Sequence, residues 1–256
     1  MFLLSQTMCN LGCKFCHTTD HIGKIKLRNL SPSEMINGIK YICDDLSLIE
    51  NKRVLLISFM GCGEPILNIY NVIDTMTYIK DVDYFDFPLK RFAIATSIPK
   101  NNWLNFFELT HLIQKNKLQV KLHLSLHYTI DLIRNEWMPR SLDIISSLSA
   151  VDFYKKITGN AVEIHYALIE GVNDTEQDAI LLTNFLKGKD INVKFLFYNE
   201  RKILDVKPSN KEKLKNFKKY FNPAGIEHEY YVPPGADTGS SCGAFLMEHY
   251  LNPDIL

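Results

Sequence analysis

Apolar residues recur along the chain with two periods, one typical of strands and the other typical of helices. Short runs rich in Val, Ile, Leu and Phe predict six strands: FLLSQ, RVLLISFM, RFAIATS, QVKLHLSLH, AVEIHYALI and VKFLFYN. Helical spacing follows most of them, in NIYNVIDTMTYI, WLNFFELTHLIQ, SLDIISSLSAVDFY and EQDAILLTNFLK. Strands that alternate with helices predict an α/β fold built on a parallel sheet.

The stretch SPSEMINGIKYICDDLSLIE carries the signals of a helix start. Ser31 is a candidate N-cap, Pro32 suits the first helical position, and Glu34 stands three residues after the cap. Apolar residues then recur at helical spacing, beginning with Met35 and Ile39. We expect an amphipathic helix here.

In two predicted strands apolar and polar residues alternate. Buried parallel strands are usually continuous apolar runs instead. One face of VKLHLSLH carries Val120, Leu122, Leu124 and Leu126, and the other carries Lys121, His123, Ser125 and His127. In VEIHY, Glu163 and His165 alternate with apolar residues in the same way. A partial (β/α)6 TIM-like barrel with a ligand inside would explain both strands and would place functional loops at the carboxyl ends of the strands. An edge strand that faces solvent is the alternative for either one.

The length and composition fit one domain. The chain has 256 residues, of which 46% are hydrophobic, and this supplies enough apolar material for a sizeable core. We expect a single domain over residues 1–256, with the barrel over about 1–200 and a C-terminal extension over about 201–256 that carries Cys242.

Charge and hydropathy narrow the class of partner. Lysine plus arginine and aspartate plus glutamate both number 29, so the net charge of zero gives no overall electrostatic footprint for nucleic acid. The basic stretch RKILDVKPSNKEKLKNFKKY is interpreted as a solvated helix face, with phosphate contact as the alternative.

No apolar run approaches the roughly 20 residues needed to cross a bilayer, and the apolar part of the first ten residues is too short for a signal peptide. We expect a cytoplasmic protein with no membrane partner.

Half of the six cysteines fall within MCNLGCKFCHT, near the start of the sequence. Cys9, Cys13 and Cys16 have the spacing C-x3-C-x2-C, whereas a structural zinc site needs four ligands and usually presents C-x2-C pairs. Three thiolates on a four-iron, four-sulfur cluster leave one iron without a protein ligand, and that iron can chelate a substrate or cofactor. A zinc site that recruits His17 or His21 as a fourth ligand is the alternative.

A glycine-rich element, SFMGCGEP, follows a predicted strand directly. Its glycines allow backbone donors to approach a ligand, and Glu64 supplies a carboxylate for an ammonium group. An ordinary strand-to-helix turn is the alternative interpretation.

The motifs together resemble those of a known family. The cysteine spacing, with Phe15 before the last cysteine, is similar to the signature of radical S-adenosylmethionine (SAM) enzymes. The chain as a whole resembles the radical SAM RNA methylases of the RlmN/Cfr type, in the stretches SQTMCNLGCKFC, RNLSPSEM, FMGCGEPILN, ATS, LSLHYTIDLIRNEWMP, VEIHYALIEGVND, VKFLFYN and GADTGSSCGAF. The resemblance implies reductive cleavage of SAM to methionine and a 5'-deoxyadenosyl radical, followed by methylation of an adenine ring carbon in RNA.

The resemblance also implies residue roles. The cluster ligands would be Cys9, Cys13 and Cys16, and the SAM site would be lined by Gly63, Glu64, Ser97, Ser125, Leu126, His127 and Asn199. Cys242 would take a methyl group from one SAM and deliver it to an sp2 carbon. The implied cofactors are a [4Fe–4S] cluster and SAM. The implied partners are an rRNA or tRNA and an external electron donor such as flavodoxin or ferredoxin.

The sequence departs from the family pattern in two ways. Phe2 stands seven positions before the first cluster cysteine, where the family has its second reactive cysteine. Cys62, which stands where the glycine-rich motif usually has methionine, is a candidate substitute, and a small buried apolar side chain is the alternative. We also expect the chain to begin at the barrel, without the accessory domain that helps the family to grip RNA.

Two other functions stay open at this point. A radical SAM enzyme similar to glycyl-radical activases would abstract hydrogen from a small molecule or a protein. A zinc-stabilised binding module would not be an enzyme at all. Replacement of Cys242 separates the first from a methylase, and iron and sulfide analysis separates the second.

Overall fold

Six parallel strands form one sheet in the computed structural model, which describes residues 1–45, 54–82, 89–201 and 203–232. The strands are neighbours in the order in which they occur along the chain, and each pair is parallel. They are β1 (Val54–Phe59), β2 (Leu89–Thr96), β3 (Val120–Ser125), β4 (Val162–Leu168), β5 (Asn192–Phe197) and β6 (His228–Tyr231). The sheet curls into a partial barrel, which confirms the predicted fold class.

Seven α-helices lie in the described part of the chain. They are α1 (Pro32–Asp45), α2 (Ile69–Asp81), α3 (Leu104–Lys115), α4 (Asp131–Trp137), α5 (Ile144–Thr158), α6 (Glu176–Leu186) and α7 (Lys211–Lys218). Five of them match the apolar patterns read from the sequence, and α7 lies in the basic stretch that was interpreted as a helix face. Helix α4 was not predicted, because seven residues are too few to show a helical period clearly.

The N-terminal cap of α1 forms as the sequence predicts. The amide of Ser31 donates to Oε2 of Glu34 at 2.9 Å, and the amide of Glu34 donates to Oγ of Ser31 at 3.3 Å. These reciprocal bonds satisfy amides that the first helical turn leaves without partners. Arg28 adds a bidentate contact to the same carboxylate, at 2.9 and 2.6 Å. This contact and the hydrogen bonds from Ser31 lower the pKa of Glu34 to about 2.

The prediction of FLLSQ as a strand is wrong. FLLSQ contributes a parallel bridge between Phe2 and Ser58 of β1 and an antiparallel bridge between Gln6 and Asn29, and it lies outside the named strands. The chain then turns, and the amides of Ser5 and Gln6 both donate to the carbonyl of Cys62, at 3.0 and 3.4 Å. The sixth strand is β6 instead, whose sequence HEYY is too short and polar to stand out as a strand.

One face of the sheet packs against the helices and forms the hydrophobic core. Ile57, Leu122, Leu124, Ile164 and Val193 are all fully buried on this face. Burial of each such side chain contributes roughly 1.5–3 kcal/mol to folding, before the entropy cost of ordering the chain. The core therefore fixes the order and register of the strands that carry the site.

The other face of β3 and β4 lines the lumen of the partial barrel. His123 and Glu163 are 4% and 3% exposed, and they pair across neighbouring strands. Both β3 and β4 have a strand on each side, so the edge-strand alternative is wrong for both. The polar residues that alternate with apolar ones in β3 and β4 therefore line a buried lumen. No helix in the described ranges is both long and apolar enough for a membrane span.

Candidate active site

The cysteine triplet lies on a loop that packs over the carboxyl ends of the strands. The ring of Phe15 contacts His127, just beyond β3, with ring centroids 4.8 Å apart. The amide of Lys14 donates to the carbonyl of Trp137 at 2.8 Å. In a parallel α/β barrel this end of the sheet is where functional loops meet. The three thiols are therefore placed at the functional end of the fold.

Arg201, which follows β5, holds the loop in place. Its guanidinium is 5% exposed and donates to both carboxylate oxygens of Asp20 and to the carbonyl of Lys14. Within the loop, Oγ1 of Thr19 donates to the carbonyl of Cys13 at 2.7 Å. A buried charge-assisted contact of this kind orients the cysteines before any ligand arrives. Sequence reasoning missed Arg201, because its partner is 181 residues away.

The three thiols suit an iron–sulfur cluster. Cys9, Cys13 and Cys16 are all free of disulfides. Burial raises the pKa of Cys13, and the nearby sulfurs of Cys16 and Cys9 raise it further. The three thiols are therefore close enough to interact electrostatically. Soft thiolate ligands select iron–sulfur clusters or zinc, and iron binding would displace the protons that burial favours. The donor set therefore fits the cluster that the spacing predicts.

The glycine-rich turn is shaped by the N-terminal segment. A Cβ on Gly63 would lie 2.7 Å from the amide nitrogen of Gln6, and φ of Gly63 is +100°. A Cβ on Gly61 would lie 2.8 Å from the carbonyl oxygen of Leu3. Both glycines are thus required by close approach of the chain itself, and not by a ligand alone. The role of Gly63 in binding SAM stays a prediction.

Glu64 is buried and is held by backbone donors. The amide of Ile66 donates to Oε1 at 3.1 Å, and the amide of Ser97 donates to Oε2 at 3.2 Å. Burial raises the pKa of Glu64 to about 7, and hydrogen bonds from Thr96, Ile66 and Ser97 oppose that rise. A buried carboxylate in this state gains most from a cation, because a cation replaces the solvation it has lost. This geometry suits the predicted contact with an ammonium group.

We expect SAM binding to depend on the charge of Glu64. Because only the ionised carboxylate attracts an ammonium group, affinity should weaken as pH falls from about 8 to about 6, through the raised pKa. Glu64→Gln should lose affinity by roughly 10- to 100-fold at about pH 8 and show a flat pH profile. Calorimetric titration of reconstituted protein measures both effects. Glu136→Gln, at an exposed position, is the control, and an unchanged pH profile in Glu64→Gln would contradict the assignment.

The end of β3 carries three of the predicted SAM residues. His127 has a left-handed backbone with φ of 55°, and its Nδ1 accepts from the amide of Ala167 at 3.0 Å. Burial lowers its pKa well below the usual value, so the ring is neutral and its Nε2–H remains for a ligand. The side-chain amide of Asn173 donates to the carbonyls of His127 and Ala167, both at 2.7 Å. Asn173, of the GVND motif, thereby joins the ends of β3 and β4.

Arg134 on α4 connects the other predicted residues. Its guanidinium is 1% exposed and donates to the carbonyls of Ser125 (3.1 Å), Leu126, Ser97 (3.3 Å) and Leu142 (2.9 Å). One cation therefore binds the ends of β2 and β3, where three predicted SAM residues lie. In the sequence Arg134 is one arginine within LIRNEWMP, and nothing local distinguishes it from a surface arginine.

Loss of Arg134 should destabilise the protein strongly. Arg134→Met would leave four carbonyl groups without their donor in the interior, and we expect the free energy of unfolding to fall by about 3–5 kcal/mol. Anaerobic denaturant titration followed by circular dichroism measures the change. Arg91→Met, at an exposed position on β2, should change stability by less than about 0.5 kcal/mol. Equal stability of the two variants would rule out this role for Arg134.

The other predicted residues lie in different surroundings. Ser97 is buried beside Glu64, and its hydroxyl has no hydrogen-bond partner among the described residues, so it is available to a ligand. Asn199 lies two residues beyond β5 and is half-buried. Leu126 belongs to the hydrophobic core and has only its backbone to offer. Cys242 lies outside the described residues. All of these assignments stay predictions.

The candidate substitute for the second reactive cysteine is buried. Cys62 is 3% exposed and packs with Met8 near the triplet. Burial raises the pKa of its thiol to about 11, and the nearby sulfur of Cys16 adds to the rise. A protonated thiol is a poor nucleophile, so Cys62 would need a conformational change or a lower pKa to react. Phe2, at the family's cysteine position, is 55% exposed.

Comparison with known proteins finds close relatives, although no protein-family profile matches the chain. A probable dual-specificity RNA methyltransferase RlmN from Carboxydothermus hydrogenoformans is 30% identical over 97% of this chain and 69% of its own length. A second RlmN, from Thermotoga petrophila, is 32% identical over 95% of this chain and 67% of its own length. The similarity therefore spans nearly the whole sequence.

Solved structures agree with the sequence relatives. A radical SAM methyltransferase from Sphaerobacter thermophilus superposes with a TM-score of 0.82 and 26% identity, over 94% of this chain and 68% of that one. SuiB from Streptococcus suis, solved with SAM bound, has a TM-score of 0.64 and 13% identity over 94% of this chain and 52% of that one, and so shares the fold alone.

Proposed function

The chain belongs to the RlmN family of RNA methyltransferases, and from this premise we propose that it methylates an sp2 carbon of adenine in RNA. It is a radical SAM enzyme, and its cofactors are a [4Fe–4S] cluster and SAM. The observation that carries the proposal is the placement of three free thiols over the strand ends, beside the ends of β2 and β3 where the predicted SAM residues lie.

The described residues divide the work of the proposed reaction. Cys9, Cys13 and Cys16 would hold the cluster, which supplies the electron that cleaves SAM when bound. Glu64 would accept from the ammonium group of SAM, and the Nε2–H of His127 would donate to a polar group of the cofactor. The core beneath these residues keeps water away from the Glu64 carboxylate, and this strengthens its attraction for a cation.

The assignment of Cys242 as methyl carrier rests on its sequence motif. GSSCGAF surrounds Cys242 with small and polar residues, which suits an accessible thiol. The thiol would accept a methyl group and later hold it against the adenine. We infer that an external donor such as flavodoxin or ferredoxin supplies the electron, because reductive cleavage of SAM consumes one electron and the cluster must then be reduced again. The expected cytoplasmic location also stays a prediction.

The comparisons favour the methyltransferase over the alternatives. Relatives at 30% and 32% identity are named RNA methyltransferases, and neither is named an activase or a zinc-binding module. The zinc alternative also needs His17 or His21 as a fourth ligand. Both lie on the short 3-10 helix His17–His21, of which Cys16 is the N-cap; His17 follows Cys16 directly and His21 ends the helix. The substrate proposal is RNA, as in the relatives, with rRNA and tRNA both to be tested.

The proposal is tested by product analysis. Anaerobically reconstituted protein is incubated with SAM, a reductant and either rRNA or tRNA, and mass spectrometry then follows both Cys242 and the digested nucleosides. We expect methyl-Cys242, 5'-deoxyadenosine and a methyladenosine. A methylated cysteine without a methylated nucleoside from either RNA would keep the cofactor chemistry and reject the RNA substrate.

A further inference from the structure

A buried cluster of ionisable side chains lies in the lumen and takes no part in the proposed reaction. It consists of His123 on β3 and of Glu163 and His165 on β4. All three side chains are at least nine-tenths buried. His123 pairs with Glu163 two positions before Ser125, and His165 pairs with Ser125 itself, so the cluster extends from the layer beneath Ser125 up to the layer of Ser125.

The three side chains aim their ligand atoms at one another. Nδ1 of His123 lies 3.0 Å from Oε1 of Glu163, and Nε2 of His165 lies 3.6 Å from the same oxygen. All three atoms lie within 4.8 Å of one another. None of these three atoms makes a hydrogen bond of good geometry to another described residue, although each is buried, and the ammonium group of Lys194, 3.1 Å from Oε1, is an ionic partner of the carboxylate. Buried polar atoms without such bonds are rare and call for a ligand or a specific role.

The protonation states make this arrangement suitable for a cation. Burial lowers the pKa of His123 to about 4, only partly offset by Glu163, and burial also lowers the pKa of His165. Both rings are therefore neutral near pH 7 and can offer a lone pair. Burial alone would raise the pKa of Glu163, but the neighbouring His123, His165 and Lys121 lower it overall, so Glu163 is a carboxylate.

We propose that His123, Glu163 and His165 bind one divalent transition-metal ion of the zinc or ferrous class, separate from the iron–sulfur cluster. Two imidazole nitrogens and one carboxylate oxygen form a donor set that such ions prefer. The ion would occupy the space that the three atoms enclose and would connect β3 with β4. Three protein ligands leave at least one coordination position, which faces the lumen.

Neighbouring lysines determine how strongly such an ion binds. Nζ of Lys121 lies 2.6 Å from Oε2 of Glu163, and so orients the carboxylate through the oxygen that does not face the histidines. Nζ of Lys194 lies 3.1 Å from Oε1 and 2.8 Å from Oε1 of Glu229. Lys194 thus competes with a cation for the ligand oxygen, and metal binding requires it to pair with Glu229 alone. Removal of its charge should therefore strengthen metal binding.

Cobalt(II) is the probe that tests the site. Reconstituted holoenzyme is titrated anaerobically with cobalt, and bound metal is counted after dialysis. We expect one cobalt per chain, with visible ligand-field absorbance and no thiolate-to-cobalt charge-transfer band, since the ligands are nitrogen and oxygen. His123→Ala and His165→Ala should each weaken binding by at least about 10-fold. His111→Ala, an exposed histidine on α3, should bind as the unaltered protein does.

Lys194→Met supplies a test that does not remove a ligand. If the site binds metal, cobalt affinity should rise by about 10-fold or more in this variant, because a repelling charge is lost. If the cluster is only an ion-pair network, the variant will lose stability and gain no affinity. Absence of stoichiometric cobalt from both the unaltered protein and Lys194→Met, or binding that survives His123→Ala, would overturn the proposal. The readout is bound metal, so failure of the methylation assay would not affect it.

Discussion

Cys13→Ala is expected to abolish both the iron–sulfur cluster and the cleavage of SAM. Burial raises the pKa of Cys13, and the nearby sulfurs of Cys16 and Cys9 raise it further, as expected for one member of a shared ligand set. With two thiolates left, a four-iron cluster has two irons without protein ligands and should not survive purification. Iron and sulfide content, visible absorbance and 5'-deoxyadenosine should all fall to background. Anaerobic reconstitution followed by metal analysis and chromatography measures these quantities.

Cys43→Ala is the matched control for this variant. Cys43 is half-buried on α1 and packs against the hydrophobic core, away from the loop. It should keep its iron and its SAM cleavage, at the cost of about 1 kcal/mol of stability. Full iron content in Cys13→Ala would show that the triplet is not the ligand set. One bound zinc and no iron in the unaltered protein would favour the binding-module alternative.

Cys242→Ala is expected to separate SAM cleavage from methyl transfer. The cluster ligands and the described SAM residues are unchanged in this variant, so 5'-deoxyadenosine should still form. Without the carrier thiol, no methyl group can be held against the adenine, and methylated nucleosides should fall below detection. The two variants therefore differ in one measured product, because Cys13→Ala loses both and Cys242→Ala loses only the methylated nucleoside.

Ser241→Ala is the control beside Cys242, because it alters the same motif and keeps the thiol. It should retain both products. If Cys242→Ala still methylates RNA, the carrier assignment is wrong. If Cys242→Ala and the unaltered protein both cleave SAM and neither methylates RNA, hydrogen abstraction from another substrate becomes the better hypothesis.

Much of the fold followed from local patterns. Five strands and five helices were predicted from periodicity, because a strand or helix with one buried face must repeat its apolar residues. The capping pair Ser31 and Glu34 was also predicted from a local signal, because both partners lie within one helical turn. The predicted first strand failed because its pairing depends on where the chain turns afterwards. That turn cannot be predicted from the apolar residues of FLLSQ.

The candidate site was predicted unevenly. The cysteine spacing is a local signal, since all three ligands lie within eight residues. Arg134 and Arg201 were missed, although both are buried and hold the loops around the site. Their partners are a carboxylate and carbonyl groups outside the element that carries each arginine, and backbone carbonyls leave no trace in the residue pattern. The family resemblance identified the polar residues Ser97 and Ser125, but not the arginine that holds their backbone.

The sequence by itself determined the class of chemistry, because thiolate spacing and the identity of Glu64 are properties of short segments. It also determined that β3 and β4 have a polar face, since polar and apolar residues alternate along both strands. Only the tertiary structure decided what that face contains. Whether His123, Glu163 and His165 face water or one another depends on strand register across a sheet, which is set by core packing. The side chains that meet there come from separate strands, so no local pattern could bring them together.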